Sequence, residues 1–497
     1  MCLKRHIGEG AATRIRAQCD YAFTNIRGAC MNTISKPSVD LHREEEPHLA
    51  RNLSNRHLQL IAIGGTIGTG LFMGSGKAVS LAGPSILLIY AITGFMLFFV
   101  MRALGEILLS NLQYRSFADF AGDYLGPCAQ FFTGWTYWLC WIVTAVAEVV
   151  AVPGYVSFWF PHLAPWIPAL GLITILLILN LPTVRNFGEI EFWFALIKII
   201  TIIGLIITGI YMLMTGFVLP NGTQASIAHL WNHGGFFPNG SLGFIAGFQI
   251  SVFAFVGIEL VGTAAAEAEN PMRNLPKAIN NIPIRIVLFY IGALFVIITV
   301  TPWNQVDPNS SPFVAMFSLA GIGIAAHFIN FVVLTSASSS SNSGIYSTSR
   351  MVYGLATVGL APKAFSKLSN RKVPVHALIF SCIFLLSSVV LLYAGQSMIQ
   401  VFTLVTTISA LLFIFIWSII LVSYLQYRRK HPERHEKSTF KMPGGRASVV
   451  MVFIFFAFVL WALTQEPDTL AAMKVTPLWF VLLGIAYWVM KLKQKQS

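Results

Sequence analysis

The chain has 497 residues, 56% of them hydrophobic and only 11% charged, with a mean hydropathy of +0.69. A soluble domain carries about a quarter charged residues, so a water-facing surface of this size is excluded and lipid is the implied solvent. The excess of 33 basic over 20 acidic residues, +13 in all, fits either a polyanion such as nucleic acid or the basic bias of cytoplasmic loops.

Residues 1–56 form a polar tail without the apolar core of a secretory signal. Met31 opens an ordinary tail sequence, and residues 1–30 are read as upstream of the true start. A membrane domain then fills 57–491, with a short polar tail at 492–497. About 20 apolar residues make one spanning helix. Twelve spans are predicted, near 58–78, 84–108, 128–158, 166–184, 191–214, 243–265, 284–301, 323–346, 375–394, 399–425, 448–464 and 476–490. The expected fold class is an all-α membrane protein of 12 transmembrane helices.

With both termini inside, nearly all Lys and Arg of the joints fall on one side, from Arg273, Lys277 and Arg285 to the cluster Arg428–Arg446. The outer segments 215–242 and 302–322 contain no Lys or Arg. This alternation supports N-in, C-in orientation and removes the motive for a nucleic-acid partner. The six Cys are too scattered for a zinc site or disulfide framework, and Cys128, Cys140 and Cys382 read as packing residues in apolar stretches.

The first span, IAIGGTIGTGLFMGSGK, holds six Gly between Gly64 and Gly76. Each costs about 1 kcal/mol against Ala in a helix interior. Two readings stand: a broken helix whose free N–H groups receive an anionic group, or close helix packing through the GxxxG pairs Gly64/Gly68 and Gly70/Gly74. The string Gly70–Lys77 imitates a phosphate loop but has Leu71 and Ala78 at required Gly and Ser/Thr positions, so no nucleotide site is expected. The sixth span places Glu259 beside Gly257 in mid-segment, where a carboxylate costs about 2.5–3.5 kcal/mol on insertion scales. Lys198, in the fifth span, and Glu148, in the third, pose the same problem. These three are the candidate functional ionisable groups. His327 is read as structural, near an outer helix end, and Arg102 and Glu106 as a helical i, i+4 pair. Glu189 and Glu191 are expected to open the fifth span. The polar run SASSSSNSGIYSTSR (336–350) either lines a cavity or allows helices to approach.

The motifs GTIGTGLF, FAFVGIELVG, RALGE, EIEFWFALIK and TSASSSSNSGIYSTSRMVYGLA resemble those of the amino acid–polyamine–organocation (APC) superfamily, specifically its bacterial amino acid permeases, over residues from about 50 to the C-terminus. Within these, the chain is similar to the group handling D-serine, D-alanine and glycine. The resemblance implies a five-plus-five inverted repeat with broken helices 1 and 6 and two extra C-terminal helices. It implies a proton-coupled symporter in the bacterial inner membrane, working by alternating access without a cofactor, the proton gradient being the energy source. Thr66, Ile67, Gly68, Thr69 and Gly70 would receive the substrate carboxylate; Phe253, Phe255, Val256, Gly257 and Ile258 would offer carbonyls to the ammonium and an aromatic gate. Lys198 would take the place of a sodium ion against the first helix, and Glu259 would serve proton-linked gating, with Glu148 a further coupling group. The third span departs from the group in Pro153, Gly154 and Glu148, where an Asp is more typical. Alternatives are a permease for asparagine or an aromatic amino acid, an amino-acid sensor, or a channel; no selectivity filter or catalytic set marks a channel or membrane enzyme. The partners implied are a small amino acid, protons and the bilayer, and no oligomeric state is implied.

Overall fold

The computed structural model describes residues 59–60, 64–114, 116–182, 184–265, 270–319, 321, 323–393 and 398–496. The expected polar tail 1–56, including residues 1–30, lies outside them. A helix stands at each of the twelve expected positions. Span 1 is Thr69–Phe72 continued by Gly74–Ala82, after a break at 65–68; span 2 is Ile86–Ser110, span 3 Pro127–Val156, span 4 Trp166–Asn180 and span 5 Val184–Met214. Span 6 is Gly240–Ala254 and Leu260–Ala265, divided by a turn at 255–259. Span 7 runs through Ile282–Arg285, a π-helical turn Ile286–Gly292 and Ala293–Val300. Span 8 is Gly323–Thr357, span 9 Val375–Tyr393, span 10 Met398–Lys430, span 11 Arg446–Ala462 and span 12 Pro467–Gln496. Among the described residues, seven helical stretches are long and apolar enough to cross a membrane, and the helices of spans 4, 6 and 11 are shorter and apolar. Among the described residues there is no β-strand, only an isolated bridge between Val218 and Gln224.

The elements recur with an offset of five spans. Spans 1 and 6 are broken; a short helix follows span 2 (Phe117–Leu125) and another follows span 7 (Pro312–Leu319); spans 3 and 8 are long. Five is odd, so the second set enters the bilayer from the opposite face and the repeat is inverted. Spans 11 and 12 follow as additions.

Three boundaries differ from expectation. Span 5 begins at Val184, so Glu191 lies two turns inside the helix instead of opening it, and its side chain is buried. Span 12 begins at Pro467. Span 8 stays helical to Thr357 through the Ser-rich run, whose buried hydroxyls are satisfied by carbonyls of the preceding turn, as Thr348 is by that of Ile345 and Ser349 by that of Tyr346. Pro153 sits inside the continuous helix of span 3. Cys140 and Cys382 are buried as expected, but Cys128, in the first turn of span 3, is exposed.

Candidate functional site

The two breaks meet face to face. Gly257 adopts φ +95°, a region in which a side chain is strained, and a Cβ there would lie 2.5 Å from the Gly65 carbonyl oxygen. Gly70 packs as closely on span 6: its Cβ would stand 2.7 Å from Ala254 Cα. The glycines of span 1 therefore serve both readings, since Gly64 lets the chain approach Ala195 of span 5 while the break at 65–68 opens the helix.

Spans 3, 5, 7 and 8 supply partners to the span 1 break. Lys198 Nζ donates to the Gly64 carbonyl at 2.7 Å and to Ser339 Oγ at 2.8 Å. Ser339 donates in turn to Glu191 Oε1 at 2.5 Å, so a buried Lys–Ser–Glu chain links spans 5 and 8 to the Gly64 carbonyl at the span 1 break. Ser336 donates to the Ile67 carbonyl at 2.7 Å. The second half-helix starts at Thr69 with no side-chain cap from its Gly68 N-cap. Its Thr69 N–H instead meets both carboxylate oxygens of Glu148, at 3.3 and 3.2 Å, with Ser340 beside the same carboxylate. A carboxylate on an open helix N-terminus is the expected charge complement.

The span 6 break is held more locally. Glu259 is fully buried, and one oxygen accepts the Gly257 N–H at 3.2 Å. The indoles of Trp141 and Trp417 stand beside the same carboxyl group. Tyr290, on the π-helical turn of span 7, places its hydroxyl 2.9 Å from the Thr66 carbonyl and 3.1 Å from that of Ala254, one group from each break. Phe255 stacks on the Tyr290 ring at 4.6 Å.

Between the breaks lies a small cavity of about 10 Å³ lined by Thr66, Gly68, Gly70, Phe253, Ala254, Val256, Thr144, Glu148 and Ser340. That is room for about one water. A larger cavity of about 260 Å³ lies beyond it, between Met73, Gly154 and Tyr155, the 309–318 segment and Asn330. Of the expected residues, Thr66, Gly68, Gly70, Phe253, Val256 and Glu148 converge on the small cavity. The others act beside it: Ile67 and Thr69 through backbone atoms, Phe255 and Gly257 through packing, Ile258 within the apolar core, and Lys198 and Glu259 behind the two breaks. Four residues outside the candidate set also belong to the site: Thr144, Ser340, Glu191 and Tyr290. Ser340 lay inside the flagged polar run; Tyr290 carried no sequence signal, because a π-turn is invisible in composition. The Ser-rich run fulfils both its readings, lining the cavity with Ser340 and packing helices through Asn342, whose Oδ1 accepts from Asn180. His327 is exposed and accepts from Trp159 at 2.9 Å.

Two crossed broken helices around a cavity, in an inverted five-span repeat, define the architecture of a secondary carrier. The comparisons agree. Residues 57–497 match the amino acid permease family, and the chain belongs to it. It is 61% identical over 452 residues to the D-serine/D-alanine/glycine transporter of Escherichia coli (strain K12), covering 91% of this chain and 96% of that one. It is 55% identical over 445 residues to the amino-acid permease AapA of Bacillus subtilis (strain 168), covering 90% and 96%. It is 44% identical over 442 residues to the probable threonine/serine transporter YbxG of the same organism, covering 89% and 95%. The chain is thus a multi-pass membrane permease, not an enzyme.

Proposed function

We propose that the protein imports small neutral amino acids, D-serine, D-alanine and glycine, together with a proton, across the bacterial inner membrane with both termini in the cytoplasm. The observation that carries this is the small cavity with the Glu148 carboxylate on the Thr69 N–H. The substrate carboxylate needs the same helix end that Glu148 holds. Two carboxylates cannot share it while both are charged, so protonation or displacement of Glu148 accompanies substrate binding. The ammonium then faces Phe253, Ala254 and Val256, where backbone carbonyls of the span 6 break lie. Backbone recognition of both charged ends accepts either enantiomer if the side chain is small, and Thr144 and Ser340 favour a hydroxyl-bearing one. The closeness of Gly70 to Ala254 and of Gly68 to Glu148 supports small substrates over asparagine or aromatic ones. Lys198 holds the Gly64 carbonyl as a fixed cation would, and protonation at the span 1 break, with Lys198 set between Glu191 and Glu148, biases the inward–outward equilibrium. A ligand shifts that equilibrium only through its differential affinity for the two states.

The test is uptake of labelled D-alanine or glycine into proteoliposomes, competed by a panel of L- and D-amino acids at two external pH values. Saturable accumulation that rises at low external pH, blocked by D-serine, is expected. Uptake that ignores the pH gradient overturns proton coupling, and competition by aromatic amino acids alone overturns the substrate class.

A further inference from the structure

Spans 10 and 11 are joined by a basic segment, with seven Lys or Arg against two Glu over 428–446. This segment is anchored firmly. Glu106, fully buried at the end of span 2, accepts from His435 Nδ1 at 2.5 Å and from the Met442 N–H at 2.8 Å. Arg102 donates to Asn280 Oδ1 and to the Lys441 carbonyl and lies over the Phe440 ring. Both residues are thus committed to the segment, where an i, i+4 pair was expected.

So fastened, the segment builds a cavity of about 420 Å³ lined by Arg428, His435, Lys441, Gly444, Gly445 and Arg446, with no acidic residue among the described lining. Four features converge on it. Span 11 is a 17-residue helix whose N-terminus at Gly445 has no side-chain cap, so its positive end is open. Gly444 and Gly445 have φ +69° and +52°, which turns the backbone into the cavity wall, and the face of Gly445 lies against the Arg428 guanidinium. Arg428 Nη1 is buried without a hydrogen-bond partner. Finally, the exposed face of span 11 continues from Arg446 through Val450 (58% exposed) and Ile454 (66%), one helical turn apart each time, into the apolar surface of the span.

We propose that this cavity binds the phosphate headgroup of an anionic phospholipid, with an acyl chain along Val450 and Ile454. A phosphate oxygen meets the Arg428 guanidinium where it lines the cavity and the uncapped helix end beside it, through charge-assisted bonds. Free phosphate has the same charge but no use for the apolar stripe, and the stripe is the reason for assigning the site to lipid. The site lies at the membrane-surface ends of two spans, where a headgroup resides.

The full chain purified in detergent is incubated with phosphatidylglycerol, phosphatidylethanolamine or inorganic phosphate, and lipid retention is read by native mass spectrometry alongside the thermal midpoint. Phosphatidylglycerol is expected to be retained and stabilising, and phosphatidylethanolamine and phosphate not. Lys441→Gln and Arg446→Gln, both exposed and harmless to folding, should each weaken retention about fivefold, as expected for one basic charge at a membrane surface; Arg428→Gln should weaken it at least as much. Equal retention of phosphatidylethanolamine, or wild-type retention by the Lys441 and Arg446 variants, overturns the proposal. Stabilisation by inorganic phosphate equal to that by phosphatidylglycerol gives the site to free phosphate and overturns the lipid assignment.

Discussion

The two breaks solve the same problem with different materials. Span 1 has its interrupted backbone held from outside, by Lys198 of span 5, by Ser336 of span 8 and by Glu148 of span 3. Span 6 is held mostly by itself, through the left-handed Gly257 and the Glu259 carboxylate two residues on, with Tyr290 tying it to span 1. Of these partners Lys198 and Glu148 are ionisable, so the geometry of span 1 depends on the protonation of other helices. Span 6 depends first on backbone conformation. The first break is where a proton can be felt, and the second is where the fold is fixed.

Removing Lys198 should expose this difference most strongly. Lys198→Ala deletes the cation between the Gly64 carbonyl, Ser339 and the buried Glu191. Breaking a buried ionic cluster costs about 3–5 kcal/mol, so lower folded yield accompanies the loss of function. At a pH difference of one unit a coupled proton is worth about 1.4 kcal/mol, or tenfold accumulation; the variant should show none, while exchange between equal pools persists. Unchanged accumulation at low external pH would remove Lys198 from coupling.

Glu148→Gln comes next. The amide oxygen still accepts from the Thr69 N–H, so the fold stays, but the side chain no longer exchanges a proton. Uptake should lose most of its pH dependence with folded yield unchanged, measured as initial rates across external pH 5–8. A wild-type profile would place the coupling proton elsewhere.

Much of this was legible beforehand, and the reasons are physical. Apolar runs of spanning length and the sidedness of basic residues are strong constraints, so twelve helices could be placed from composition. The breaks were legible because six glycines in a span and a charge beside Gly257 are costly unless used. The resemblance to permeases turned that cost into a site. What stayed hidden was pairing across spans. Nothing near Glu191 in sequence indicates that Ser339 will meet it, and the local spacing of Arg102 and Glu106 suggested each other when both reach a segment more than 300 residues away. Glu148 was flagged as a buried charge, but its place on the very N–H group meant for substrate required the fold.

On the span 6 side, Gly257→Ala tests the backbone directly. The φ of +95° and the 2.5 Å approach to the Gly65 carbonyl leave no room for a methyl group, and neither atom group is a flexible chain end. A strained left-handed residue costs about 1–3 kcal/mol, and separating the breaks adds to it. A lowered thermal midpoint with a pH profile of wild-type shape is expected for the molecules that fold. A changed profile would mean that the two breaks titrate as one unit.

The smallest effect falls to the group that joins them. Tyr290→Phe keeps the ring stacked on Phe255 and removes only the hydroxyl shared between the Thr66 and Ala254 carbonyls. Both carbonyls lose this donor, and the loss should be about 1 kcal/mol of stability, the net worth of one intramolecular hydrogen bond. Because the hydroxyl touches one carbonyl from each break, its removal should also loosen their mutual position, raising KM for glycine more than it lowers the maximal rate. Equal stability with an unchanged KM would show that the breaks keep their register through glycine packing alone, with Gly70 against Ala254 and Gly257 against Gly65 sufficient to hold the two breaks together.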